Sequence, residues 1–169
     1  EGEVAVVTYT PAADKMKVFS AFIREGLESG DWTRYIYPDE ERGIVKAKLK
    51  ECGIDVEKYE KSGTLLMKSL TEFYLPDGKF DKERSIQFLL NLRAEVKKKG
   101  YKHTKELIDV GNFFFLRGQW KTYLDYWDDP KWGSPGAGLG VVYEPFIIEL
   151  TAVDVGGMSE AQANDILKA

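Results

Sequence analysis

The chain reads as short apolar runs separated by longer stretches with helical periodicity. Val4-Ala5-Val6-Val7-Thr8-Tyr9 is a continuous run of β-formers, the pattern of a strand buried on both faces of a parallel sheet. Thr10-Pro11 supplies an N-cap and a first-turn proline, and Met16, Phe19, Phe22, Ile23 and Leu27 follow at helical spacing until Gly30. The cycle repeats. Trp32-Thr33-Arg34-Tyr35-Ile36-Tyr37 predicts a second strand, Pro38-Asp39-Glu40 starts a second helix, and Cys52-Gly53 ends it. After a linker over residues 54–63, residues 64–70 predict a third strand. An aromatic connection over residues 73–80 leads to Asp81, which caps a third helix carrying Ile86, Leu89, Leu92 and Val96. Lys97, Lys98 and Lys99 before Gly100 suit the negative end of that helix. Glu106-Leu107-Ile108-Asp109-Val110 predicts a fourth strand, residues 119–127 a short helix and residues 140–150 a fifth strand or hairpin, and Ser159 caps a last helix. Strands alternating with helices predict an α/β three-layer sandwich around a mostly parallel sheet.

In such a sheet, ligands bind where loops leave the carboxyl ends of the strands. The loops at those ends are Tyr9-Thr10-Pro11, Tyr37-Pro38-Asp39, residues 73–80, residues 109–115 and Tyr143-Glu144, and each carries an aromatic. A rim of Tyr9, Tyr37, Tyr74 and Tyr143 has the composition of a small-molecule pocket, apolar with a few hydroxyls. Three rings, Phe73, Tyr74 and Phe80, on a connection that should be wet make it either a lid on a ligand or a flap completing the core. The expected ligand-binding residues are Tyr9, Thr10, Tyr37, Tyr74, Phe80, Asp109, Asn112 and Tyr143.

Composition narrows the chemistry. The 169 residues fit one domain, and a start at Glu1-Gly2-Glu3 directly before a strand reads as a piece of a longer signalling protein. A net charge of −4 argues against a nucleic-acid surface. No run approaches the length of a membrane span, and no signal peptide precedes the first strand, so the expected location is cytoplasmic. One Cys and one His exclude a His/Cys metal cluster, and no metal or cofactor is expected. Asp125, Asp128 and Asp129 read as a solvated helix end. A nucleotide hydrolase of this element order needs a glycine-rich phosphate loop after the first strand. Tyr9-Thr10-Pro11-Ala12-Ala13-Asp14-Lys15 has no glycine, and Pro11 removes a backbone donor, which excludes Walker-type hydrolysis. Asp109, ahead of Gly111 and Asn112, is the carboxylate best placed for ligand positioning or acid/base work.

Several stretches carry a family resemblance in order along the chain: Tyr9 with Pro11, "FIREGLESG" at 22–30, "CGIDVEKYEKSG" at 52–63, "YLPDGKFD" at 74–81 and Gly100-Tyr101. Together they resemble the MEDS domain, the methanogen/methylotroph DcmR sensory domain. The resemblance implies a RecA/KaiC-like sandwich lacking the Walker A loop, used as a sensory module in histidine kinases and transcription regulators. It also implies small organic ligands such as methylated or halogenated one-carbon compounds. The chain departs from the family pattern at Glu3, where a histidine is frequent, and at residues 109–115, where a Gly-Glu-Met-aromatic stretch is frequent. The expected function is a non-catalytic sensory domain of a two-component or transcription-regulating protein, with a fused output domain or a homodimer partner. The alternatives are an interaction module using Phe113, Phe114 and Phe115, and a divergent enzyme using Asp109 or Glu144.

Overall fold

The computed structural model of the chain describes residues 3–10, 14–132 and 147–168. The apolar runs form one five-stranded, wholly parallel sheet in the order β1-β5-β4-β2-β3. The strands are β1 (Glu3–Tyr9), β2 (Trp32–Tyr37), β3 (Leu65–Ser69), β4 (Thr104–Gly111) and β5 (Ile147–Asp154). Helices α1 (Lys15–Ser29), α2 (Val45–Glu51) and α3 (Val56–Ser62) bury Phe19, Ile23, Leu49 and Val56 against Tyr35, Leu107 and Leu150 on one face. Helices α4 (Leu70–Tyr74), α5 (Lys82–Lys98), α6 (Phe113–Leu116) and α7 (Trp120–Trp127) bury Phe73, Ile86, Phe114 and Tyr123 against Ile36, Ile108 and Val153 on the other. Period-2 alternation in the strands thus feeds two separate cores. The last helix, α8 (Glu160–Lys168), starts at Ser159, whose hydroxyl accepts from the Gln162 amide as expected.

Four expectations shift. The linker at 54–63 holds α3, where the Asp55 side chain accepts from Lys58 N at 3.1 Å and Gly63, at φ 75°, ends the turn. Seven residues with one buried side chain, Val56, show too little periodicity to be seen in sequence. Residues 39–41 form a 3₁₀ turn, and α2 begins only at Val45. The aromatic connection begins inside α4, which takes in Phe73 and Tyr74. Ser69 and Glu72 close a reciprocal capping box at its start, which turns Phe73 and Tyr74 inward. Finally, β5 lies at 147–154 and not at 140–150, because Glu149 and Thr151 interrupt the apolar run that the strand nevertheless continues; residues 133–146 lie outside the described residues. The proposed cap at Thr10-Pro11 is likewise only half described, and α1 starts at Lys15.

The face covered by α5 buries charge as well as carbon. Arg34, Glu106 and Glu149 are consecutive neighbours across β2, β4 and β5. Arg34 Nη2 donates to Glu106 at 2.5 Å, and Arg93, reaching down from α5, donates to Glu106 from Nε at 3.0 Å and to Glu149 at 3.2 Å. Thr104 and Thr151 hydroxyls donate to the two carboxylates. Arg34 is wholly enclosed, with its guanidinium stacked 4.8 Å from the Phe73 ring centre. Burial pushes the Glu106 carboxyl up, but Arg34 and Arg93 outweigh it and hold it at about 2.

On the opposite face α1 sits close. A Cβ on Gly26 would lie 2.8 Å from Thr33 Oγ1 and 2.9 Å from Lys105 Cγ, both buried side chains. Gly26→Ala is therefore expected to destabilise the fold by roughly 1 kcal/mol or more, overpacking outweighing the gain in helix propensity. Glu106→Gln leaves two buried guanidinium groups short of a counter-charge and is expected to cost about 3–5 kcal/mol in urea denaturation. The folded-state pKa of Glu106 is depressed, so its stabilisation is present above pH 4.5 and is lost as pH falls toward 2. The Gln variant should lose that portion of the acid transition.

Candidate functional site

The carboxyl ends of β1, β4 and β5 and the turn after β2 surround a cleft of about 510 Å³. Tyr9 comes from β1, Lys15 and Met16 from the start of α1, Pro38 and Glu41 from the turn after β2, Gly111 and Asn112 from the end of β4, and Asp154 from β5. The end of α2 closes the remaining side with Lys48, Glu51 and Cys52. A second depression of about 590 Å³ lies between α2 and α3, and none of the residues expected to bind ligand lines it.

Asp109 lies beneath the cleft, its side chain wholly enclosed and bonded to the cleft-lining Tyr9 and Lys15. Its Oδ1 accepts from the Tyr9 hydroxyl at 2.7 Å and from the Gly111 amide at 3.3 Å; its Oδ2 accepts from Lys15 Nζ at 2.6 Å. The β4–β5 register slips between Asp109 and Gly111, and Gly111 sits at φ 51°, which turns its amide back onto the carboxylate. Lys15 Nζ also pairs with Glu41 Oε1 at 2.5 Å and lies 5.1 Å from the centre of the Tyr9 ring. One ammonium thus bridges two carboxylates beside an aromatic face.

Burial pushes Lys15 down, but Asp109 and Glu41 more than reverse this and leave its pKa raised. Burial pushes Asp109 up, and Lys15 and Tyr9 only partly pull it back. The two shifts point opposite ways for one contact. A 2.6 Å contact to an enclosed carboxylate that also accepts two neutral donors has the geometry of an ion pair, and we read it as one. Burial and the nearby Asp109 likewise raise the Tyr9 hydroxyl, which stays a proton donor throughout the neutral range.

Of the residues expected at a ligand, Tyr9 and Asn112 line this cleft, and Asp109 lies beneath it, bonded to Tyr9. Thr10 is exposed beside Tyr9, and Tyr37 is buried among Tyr35 and its neighbours just ahead of the cleft-lining Pro38. Tyr143 lies outside the described residues. Tyr74 and Phe80 are elsewhere. Tyr74 is wholly buried on the far face of the sheet, 5.3 Å from the Phe114 ring and 5.8 Å from Tyr123, with its hydroxyl pushed up to about 12 by burial. Phe80 packs onto the same rings, 5.0 Å from Phe114. The aromatic connection completes a core, which corrects its reading as a lid. Phe113 and Phe114 are buried there too, and Phe115 is half-buried. Sequence reasoning missed Lys15 and Glu41, each of which looks like an ordinary charge in a helix start.

Among the described residues no group of three potential metal-ligating side chains converges. No described helix is long and apolar enough to cross a membrane. Lys15→Met leaves Asp109 and Glu41 without their shared cation and is expected to cost about 3–5 kcal/mol at pH 7. A carboxyl whose folded pKa is raised binds more protons folded than unfolded, so this variant should gain stability as pH falls from 7 toward 5. In the parent chain Lys15 and Tyr9 pull the Asp109 carboxyl partly back, so its gain over the same range should be smaller, and the raised Lys15 pKa carries the pair's stabilisation up to alkaline pH. Urea denaturation across pH reads both.

No curated protein sequence matches the chain significantly. Among solved structures, a KaiC-like protein from the hyperthermophilic archaeon Pyrococcus horikoshii OT3 superposes with a TM-score of 0.56 at 15% identity, covering 99% of this chain and 70% of that one. The likeness shows the fold, a RecA/KaiC-type α/β sandwich. The family model for the methanogen/methylotroph DcmR sensory domain matches residues 5–128, and the chain therefore belongs to the MEDS family of sensory domains.

Proposed function

We propose that the chain is a non-catalytic ligand-sensing domain of a signalling protein, a histidine kinase or transcription regulator, and that it binds a small organic compound at the Tyr9–Asp109–Asn112 cleft. The observation that carries this reading is Lys15. Its ammonium sits at the carboxyl end of the sheet, held between Asp109 and Glu41, a polar centre built at the place where open parallel sheets receive ligands. Such a centre is tied to the first turn of α1, so a bound molecule that changes the pairing also acts on that helix. Compounds of the one-carbon class, methylated or halogenated, fit the volume easily.

The enzyme alternative drew on Asp109 or Glu144: both Asp109 oxygens accept strong donors, which disfavours it as a proton carrier, and Glu144 lies outside the described residues. The interaction-module alternative drew on Phe113 to Phe115, two of which are spent on the core; the exposed apolar residue of that turn is Leu116, at 70% exposure.

Native mass spectrometry of the purified domain, followed by thermal shift against a panel of small organic compounds, tests the proposal. At about a hundred times its Kd a ligand stabilises by about 2.7 kcal/mol, which raises the Tm of a chain this size by roughly 5–11 °C. Asn112→Ala, at the rim, should abolish or reduce that shift while leaving the unliganded Tm within about 2 °C. No shift with any compound, together with a dimer that dissociates on Leu116→Ser, would replace the sensor with the interaction module.

A further inference from the structure

The charge balance at the cleft is incomplete. Asp109 and Glu41 bring two negative charges and Lys15 brings one positive. The rim adds to the imbalance, with Asp14, Glu40, Glu51 and Asp154 against Lys48. An anionic ligand, a phosphate or nucleotide above all, meets repulsion here from every side except two lysines.

A second observation locates where the missing charge belongs. Glu41 Oε2 is buried and has no hydrogen-bond partner, although Oε1 of the same carboxylate holds Lys15. The Tyr35 hydroxyl is buried and equally unpartnered, on a side chain with no exposed surface. Tyr35 stands on the sheet face that carries Asp109, and Asp109, Glu41 and Tyr9 are the charged and ionisable groups that act most strongly on its hydroxyl. Glu41, which lines the cleft, therefore holds a buried oxygen with open lone pairs in a centre that lacks one positive charge; the Tyr35 hydroxyl lies in the field of the same centre without lining the cleft, and each such oxygen costs stability until something donates to it.

We propose that the ligand of this cleft is a small organic ammonium ion, whose N–H donates to Glu41 Oε2 and whose charge neutralises the Asp109–Lys15–Glu41 centre. The proposal rests on the sensor reading and gives it a ligand class. Lys15 stays in place, and the ligand adds the second cation that two carboxylates call for. Chemistry at the carbon atoms is secondary to the N–H and the charge.

The test uses the parent chain and three simple salts. Methylammonium, dimethylammonium and trimethylammonium chloride are compared by thermal shift and calorimetry with sodium chloride at equal ionic strength, and with methanol, sodium phosphate and ATP. At least one ammonium ion should raise the Tm where sodium chloride, phosphate and ATP do not. Tetramethylammonium, with the same charge and no N–H, should bind at least tenfold more weakly than the best of the three, a comparison that needs no variant. Glu41→Gln should weaken binding tenfold or more, while Glu60→Gln, on the surface at α3, should leave it unchanged. An ammonium effect no larger than that of sodium chloride, tight binding of tetramethylammonium, or preference for phosphate or ATP overturns the ammonium assignment. If a neutral compound binds instead and Asn112→Ala removes the effect, the sensor reading stands alone; if no compound of any class binds, both fall.

Discussion

The central strand β4 carries one buried carboxylate on each of its faces, and the rest of the molecule is arranged around matching them. A carboxylate taken out of water is tolerable only with a counter-charge and filled lone pairs. Glu106, on the α5 face, has its charge met by Arg34 from the neighbouring strand and Arg93 from a helix. Asp109, three residues on and on the α1 face, has its charge met by Lys15, the first residue of α1. Each face of the sheet is thus tied to a covering helix by charge as well as by apolar area. The two centres differ in where they lie. The Glu106 centre is buried beneath α5, where Arg34, Arg93 and the Thr104 and Thr151 hydroxyls meet the Glu106 and Glu149 carboxylates while Arg34 Nε and Nη1 have no hydrogen-bond partner, whereas the Asp109 centre lies beneath the cleft, with Glu41 Oε2 unpartnered.

Sealed and deep, the first centre fixes the register of three strands and keeps α5 seated. The second sits where loops converge, on residues contributed by β1, α1, β4 and the turn after β2. The chain belongs to the MEDS family of sensory domains, and in its parallel sheet the cleft lies at the carboxyl ends of the strands, where such sheets receive ligands. In place of a glycine-rich phosphate loop, α1 opens with a lysine that folds back onto the sheet.

The sheet was legible because its strands are short, apolar and separated by capped helices. The placement of Tyr9, Asp109 and Asn112 together at the carboxyl end of the sheet was legible for a related reason: a polar or aromatic residue at the end of a buried strand has few other places to be. Lys15 was not, since it pairs with a residue 94 positions away and no local pattern signals that. Tyr74 and Phe80 were misplaced because Pro76, Asp77 and Gly78 advertise a wet turn. The Ser69 to Glu72 spacing ahead of them is a capping-box signature, and it was the available sign that a helical turn would carry the rings inward. Glu149 and Thr151 hid the true extent of β5, because a strand that buries polar groups against arginine does not look buried.

Gly26 gives α1 a mechanical asymmetry. Near its carboxyl end the helix is pressed against Thr33 and Lys105 with no room for even a methyl group, while its first residue is held to the sheet only by ion pairs at the mouth of a cleft. The two points are 11 residues apart, roughly 16 Å along the axis. Between the two points Phe19 and Ile23 are buried in the core, so α1 is seated along its length and the lysine adds a charged contact at the end that meets the cleft. A displacement of about 1 Å at that end would tilt so long a helix by only a few degrees, and any such change of angle would reach the outer surface of the domain at the exposed Val18.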